Sequence, residues 1–171
     1  MKKSLLLAAF AILTLIVGIS FTVLRAGTSK DGDDLAGAWR SKVKFTAGDY
    51  APFNDIEFMY AFNAGGTMTE SSNYDAQPPC PPAYGIWRKT GPRRYEAKYQ
   101  VFFTKADSIM DRISKGSGWL ADGYGELNEK ITLSADGDSY TATMKFEIFD
   151  AQGKLTDRGG DGSVQAKRIK F

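Results

Sequence analysis

One glutamate and a row of tyrosines are the residues of this chain best placed to do chemistry. Glu129 shares its alternation with Leu127, Ile131 and Leu133, so it points to the apolar side of its segment. A carboxylate held there beside a tyrosine hydroxyl has the parts of an acid–base pair, because burial moves its pKa toward the working range. Glu126 with Glu129, or Glu57 with an inward tyrosine, would supply such a pair. The rings of inward parity are Phe58, Tyr60, Phe62, Tyr95, Tyr99, Phe103, Tyr140 and Phe146. They would line a pocket for a small hydrophobic or aromatic molecule, with tyrosine hydroxyls orienting it, or they would simply pack the interior.

Other chemistries are closed or weakly supported. The chain of 171 residues contains no histidine, which excludes Ser-His-Asp and Cys-His catalysis and any histidine metal site. The one cysteine, Cys80, lies between proline pairs and cannot form an internal disulfide, so it reads as an inert loop residue. Two acidic runs, Asp31-Asp33-Asp34 and Asp136-Asp138, lack the EF-hand spacing, and turn chemistry accounts for the second. No metal and no cofactor is expected. Arg88, Lys89, Arg93, Arg94 and Lys98 surround a Thr90-Gly91-Pro92 turn and read as a solvated hairpin tip. Lys2, Lys3 and Arg25 are three of the 22 basic residues, and the remaining 19 face 20 acidic ones. A body so close to neutrality is not that of a nucleic-acid binder.

The elements that must position these residues follow from periodicity. Met1-Lys2-Lys3 precedes an uncharged, mostly apolar run from Leu5 to Leu24. Residues 1–26 read as a cleaved signal peptide or as an uncleaved membrane anchor, and both place the body outside the cytoplasm, periplasmic, secreted or anchored. Residues 27–34 read as a flexible linker, and 35–171 as one domain. In that domain apolar and polar residues alternate repeatedly, as in Trp39-Ser41-Val43-Phe45 against Arg40-Lys42-Lys44. Such alternation marks antiparallel strands with one packed face. About eight strands are predicted, near 36–46, 55–62, 67–74, 84–90, 93–104, 119–133, 138–149 and 154–170. Asn63 to Gly66, Ser134 to Gly137 and Asp150 to Gly153 are hairpin turns. Ser71 to Ala83, with four prolines, reads as a long loop, and Asp107 to Ser114 as a short helix or lid. An up-and-down meander of eight strands removes its exposed edges by closing into an antiparallel barrel.

Gly37-Ala38-Trp39 in the first strand and Arg168 in the last resemble the Gly-x-Trp and arginine pairing of lipocalins and related calycins. The Phe62 to Glu70 hairpin and Gly85-Ile86-Trp87 before the turn are also similar to segments of exported bacterial barrel proteins. The resemblance, over residues 35–171, implies a calycin-like barrel whose narrow end is closed by Arg168 lying across Trp39. It implies a non-catalytic protein that binds a small apolar molecule. Two further readings stay open: a barrel enzyme of the isomerase or cyclase kind using the inward carboxylate, and a filled barrel acting as an interaction module of the cell envelope. Glu129 within hydrogen-bond reach of a tyrosine would favour the enzyme. Besides the ligand, the one partner implied is the membrane, through an uncleaved N-terminal segment.

Overall fold

The computed structural model describes residues 33–73, 81–106 and 119–171. The apolar N-terminal run, Cys80 and the expected helix over 107–114 lie outside the described residues. The strands are β1 (Gly37–Phe45), β2 (Ile56–Phe62), β3 (Thr67–Ser72), β4 (Ala83–Gly91), β5 (Arg94–Ala106), β6 (Trp119–Leu133), β7 (Ser139–Phe149) and β8 (Gly160–Arg168). Each pairs antiparallel with the next, and β8 returns to β1, so the sheet is a closed barrel without free edges. The alternating faces are the reason: β7 runs half-buried, buried, exposed, buried over its first four residues, one side wet and one side dry.

The two ends differ. At one end lie the short turns 63–66, 92–93 and 134–138 and both ends of the described domain. At the other lie the longer connections 46–55 and 150–159, with the ends of β3, β4, β5 and β6 that the remaining segments join. Asn63 N–H, Ser134 N–H and Asp150 N–H each close their turns on the facing strand, to Thr67, Ser139 and Lys154 carbonyls. Asp136 accepts from Ser134 Oγ and from the Asp138 N–H, so its carboxylate serves the turn.

The short-turn end is closed by a clasp. Register sets Trp39 opposite Arg168, and the guanidinium carbon stands 4.2 Å from the Trp39 ring centre. Arg168 also donates to three backbone carbonyls, Gly137 at 2.8 Å, Ala36 at 2.7 Å and Asp34 at 2.6 Å. Gly37 makes room for it: a Cβ there, at φ +136°, would lie 2.7 Å from an Arg168 guanidinium nitrogen. Trp39 in turn donates its indole N–H to the Leu35 carbonyl at 3.0 Å.

Two expectations are corrected. The last strand was expected from residue 154 but begins at Gly160. Leu155 makes only an isolated bridge to Phe149. The chain then turns in against the 46–50 segment, where a Cβ on Gly160 would lie 2.0 Å from the Ala47 carbonyl oxygen. The segment read as linker is not loose at its end. Asp33 accepts from Lys89 Nζ at 2.7 Å, from the Arg93 N–H at 2.9 Å and from the Tyr95 hydroxyl at 2.9 Å.

Candidate functional site

The inward-facing side chains separate into three levels along the barrel. At the clasp end, Tyr95 leans on Trp87, and its hydroxyl is taken by Asp33. Burial, then this bond and the Asp33 charge, raise the Tyr95 pKa far above the usual phenol range. Lys89, bonded to Asp33, is the main reason that the Asp33 carboxyl is held below its ordinary value. Tyr95, expected to share the ligand-lining set, thus sits apart from the other tyrosines and serves the clasp.

The middle level is a polar bridge. Glu129 from β6 is buried, with 2% of its surface exposed. Its Oε1 accepts from the Tyr99 hydroxyl at 2.5 Å and from the Tyr60 hydroxyl at 2.7 Å. Tyr60 is on β2 and Glu129 on β6, strands that stand on opposite walls of the barrel. This hydrogen bond therefore spans the lumen from wall to wall, as an eight-stranded barrel is just narrow enough to permit. Tyr99 and Tyr60 rings meet edge to face at 6.1 Å, and Tyr140 from β7 meets Tyr60 at 6.3 Å. Met144 Sδ lies 3.7 Å from the Tyr99 hydroxyl. Among the described residues, neither Glu129 Oε2 nor the buried Tyr140 hydroxyl has a hydrogen-bond partner.

Burial governs the electrostatics of this level. It pushes the Glu129 carboxyl above its ordinary range, and the bonds from Tyr99 and Tyr60 offset the rise only in part. Tyr60, Tyr99 and Tyr140 are all raised well above the usual phenol value, first by burial and next by the Glu129 charge. The tyrosines stay neutral donors at neutral pH, and the carboxyl keeps its proton to higher pH than an exposed glutamate does.

A second buried carboxyl belongs here. Glu70, on β3 opposite Tyr60 in register, is 6% exposed, and its charge also raises Tyr60, Tyr99 and Tyr140. The sequence reading did not single it out. Its parity with Met68, another buried residue of β3, was the available sign. Two proposed acid–base partners do not enter the lumen. Glu57 faces outward and pairs with Arg40, and Glu126 faces outward and pairs with Lys98 at 2.7 Å. Both have the parity opposite to that of the inward residues of their strands, so no rearrangement short of a register slip would bring them in.

No protein-family model matches the chain, and no curated protein matches it.

The third level lies toward the long connections and is aromatic. Phe103 and Phe146 face each other at 6.3 Å, and Phe146 also meets Phe45 at 5.9 Å and Tyr50 at 5.4 Å. A bulge between Phe102 and Thr104 breaks the β5 alternation here, leaving Phe102 exposed and Phe103 half-buried against the core. Tyr50 and Phe53, from the β1–β2 connection, pack onto this group. That connection is held by Asp49, which accepts from Arg158 Nε at 2.9 Å, and whose N–H donates to the Arg158 carbonyl at 3.0 Å. Phe58 adjoins both the aromatic level and the bridge, 6.0 Å from Tyr60.

The outer wall carries a groove of about 780 Å³ across β4 to β8. Its outward side chains include Arg88, Glu96, Lys98 and Lys145, and these charges are already matched: Arg88 with Glu96, Lys98 with Glu126 and Lys145 with Glu147. Three members of the basic cluster around the β4–β5 turn, Arg88, Lys89 and Lys98, are thereby in ion pairs. The lumen offers the more demanding chemistry.

Proposed function

We propose that this chain is an exported, calycin-like barrel that binds a small hydrophobic or aromatic molecule between the Glu129 bridge and the aromatic level. The observation that carries the reading is Glu129 Oε2, a buried carboxyl oxygen without a hydrogen-bond partner among the described residues, set in a lumen lined mostly by rings and aliphatic side chains. A buried polar atom left unmet costs about 1–3 kcal/mol, and a bound molecule that donates to it recovers that cost. Phe58, Phe103 and Phe146 supply the apolar contact, and Tyr60, Tyr99 and Tyr140 the orienting hydroxyls. Trp39 and Arg168 seal the opposite end, so entry is from the side of the long connections.

Native mass spectrometry of the full chain purified from its own host tests this. A retained small-molecule mass is expected, and the same spectrum reports whether residues 1–26 have been removed. A chain that carries no added mass and takes up no ring compound in solution overturns the reading.

A second reading is favoured by one specific contact, the short Tyr99–Glu129 bond beside a carboxyl pushed toward neutrality. A carboxyl with that environment is a competent proton donor and acceptor for an isomerase or cyclase reaction on a bound ring compound. Glu129→Gln separates the two readings. Under the first, uptake of a ring compound is weakened but not abolished, because the Oε2 acceptor goes and the rings stay; under the second, a turnover shown by the native chain is lost.

A further inference from the structure

If the barrel holds a small ring-bearing molecule as proposed above, the Glu129 bridge decides which charge that molecule carries. An anionic head would meet two buried carboxyl groups, Glu129 and Glu70, and no lysine or arginine among the described residues is buried beside them. A neutral hydroxyl could donate to Oε2 and accept from the Tyr140 hydroxyl, but without charge assistance. An ammonium group gives Oε2 a charge-assisted bond and has further N–H groups to offer the Tyr140 hydroxyl, which is unmet among the described residues. It also gains from the tyrosine rings around Oε2, although Tyr60 already stacks on Phe62 at 5.6 Å. Space comes from Met144, an unbranched side chain beside Tyr99 that can change rotamer without moving the backbone.

We propose that the occupant is a protonated amine, its ammonium on Glu129 Oε2 among the tyrosine rings and its apolar body toward Phe58, Phe103 and Phe146.

Binding of this kind is linked to a proton. The titratable groups facing Glu129 are Tyr60 from β2, Glu70 from β3, Tyr99 from β5 and Tyr140 from β7; the inward residues of β1, β4 and β8 nearest it, such as Ser41, Trp87 and Val164, do not titrate. In the empty barrel burial favours the protonated Glu129 carboxyl. An ammonium beside it favours the carboxylate, so amine binding expels that proton. Affinity then rises with pH through the Glu129 titration and levels off above it.

Calorimetry on the full chain with 2-phenylethylamine, 2-phenylethanol and phenylacetate tests the charge directly. The amine is expected to bind about tenfold more tightly than the alcohol, with phenylacetate weakest, and its affinity to increase as pH is raised above the ordinary carboxylate value of about 4.3. Glu129→Gln removes both the preference and the pH dependence; Tyr140→Phe, which keeps the ring, narrows the preference. Equal affinity for amine and alcohol, tighter phenylacetate, or a flat pH profile in the unaltered chain overturns the amine assignment and leaves the binding barrel standing. Failure of all three compounds to bind overturns both. Should Glu129→Gln not fold, the ranking and pH profile of the unaltered chain decide alone.

Discussion

Replacing Glu129 by glutamine removes a charge and keeps a shape, and the stability of the variant across pH reports which protonation state the folded barrel prefers. At acid pH the native carboxyl is neutral, and glutamine keeps a carbonyl oxygen where Tyr60 and Tyr99 donate at 2.7 and 2.5 Å. The amide nitrogen takes the place of Oε2, which has no hydrogen-bond partner among the described residues. Its buried, unmet N–H groups cost about 1–3 kcal/mol, so the variant is less stable by that amount. As pH rises, the unfolded native chain gives up the Glu129 proton at about 4.3, while the folded chain holds it longer because burial raises the folded value. The folded state then binds more protons than the unfolded one, and native stability falls until the folded carboxyl has ionised. Glutamine does not titrate, so its deficit shrinks across the same interval. Asp33 and Glu126, which are held below their ordinary values by hydrogen-bonded partners, slope the other way in both proteins and cancel in the difference. Urea unfolding of the two full chains, followed by tryptophan fluorescence at stepped pH, gives that difference. A deficit that widens as pH rises toward the ordinary carboxylate value of about 4.3, and stays flat above it, means that the carboxylate is favoured by its surroundings, and refutes burial as the dominant influence.

Three further outcomes follow from the clasp and the wall. In a double-mutant cycle of Trp39→Phe with Arg168→Met, the coupling energy is expected near 0.5–2 kcal/mol, as for a guanidinium over an indole; zero coupling means that Arg168 acts only through its carbonyl bonds. Asp33→Asn flattens the acid side of the stability profile, because a lowered carboxyl pKa contributes stability above its unfolded value that is lost as pH falls through the folded one; an unchanged slope under acid titration contradicts the Lys89 contact. Gly85→Ala puts a Cβ 2.2 Å from the Lys98 carbonyl oxygen and 2.4 Å from Tyr99 Cβ. The loss is about 2–4 kcal/mol with Tyr99 displaced from Glu129, and a neutral result by thermal unfolding argues against that close approach.

Periodicity made the wall legible and the lumen only partly so. β1 was expected at 36–46 and runs Gly37–Phe45, because one wet and one dry face is a local property that every second residue repeats. The same parity sent Glu129 inward and would have sent Glu57 and Glu126 outward, had it been applied to them. It could not say that Tyr60 stands across the lumen from Glu129. That meeting depends on the stagger of eight strands closing on one another, which two-residue alternation does not encode. Glu70 was hidden differently, in the polar run Thr69-Glu70-Ser71-Ser72, whose composition suggests a wet strand although Met68 and Glu70 are buried. Tyr95 had the right parity, and its hydroxyl was claimed by Asp33, a residue whose sequence neighbours suggested only a tether. The end of the linker and the start of β8 were misjudged for one reason: both are set by contacts remote in sequence, with Lys89 and Tyr95 in one case and the Ala47 region in the other.

The bridge is not needed to hold the barrel shut. The clasp closes one end, the Tyr50 and Phe53 segment packs against the aromatic level beside the other, and β1 pairs with β8 along seven residues. Buried ionisable groups seldom repay their desolvation, and well-packed apolar side chains of similar volume commonly replace them at no cost or with a gain of about 1–4 kcal/mol. Glu129→Leu combined with Tyr60→Phe and Tyr99→Phe makes that replacement while preserving every ring and nearly the whole volume of the middle level. The triple variant is expected to unfold at equal or higher urea concentration than the native chain, and to lose its preference for 2-phenylethylamine over 2-phenylethanol. Stability and recognition then part company, as they must if the carboxyl exists to meet an occupant. A triple variant that is destabilised by about 3 kcal/mol or more assigns the bridge to the architecture of the lumen, and the unmet Oε2 ceases to support a ligand.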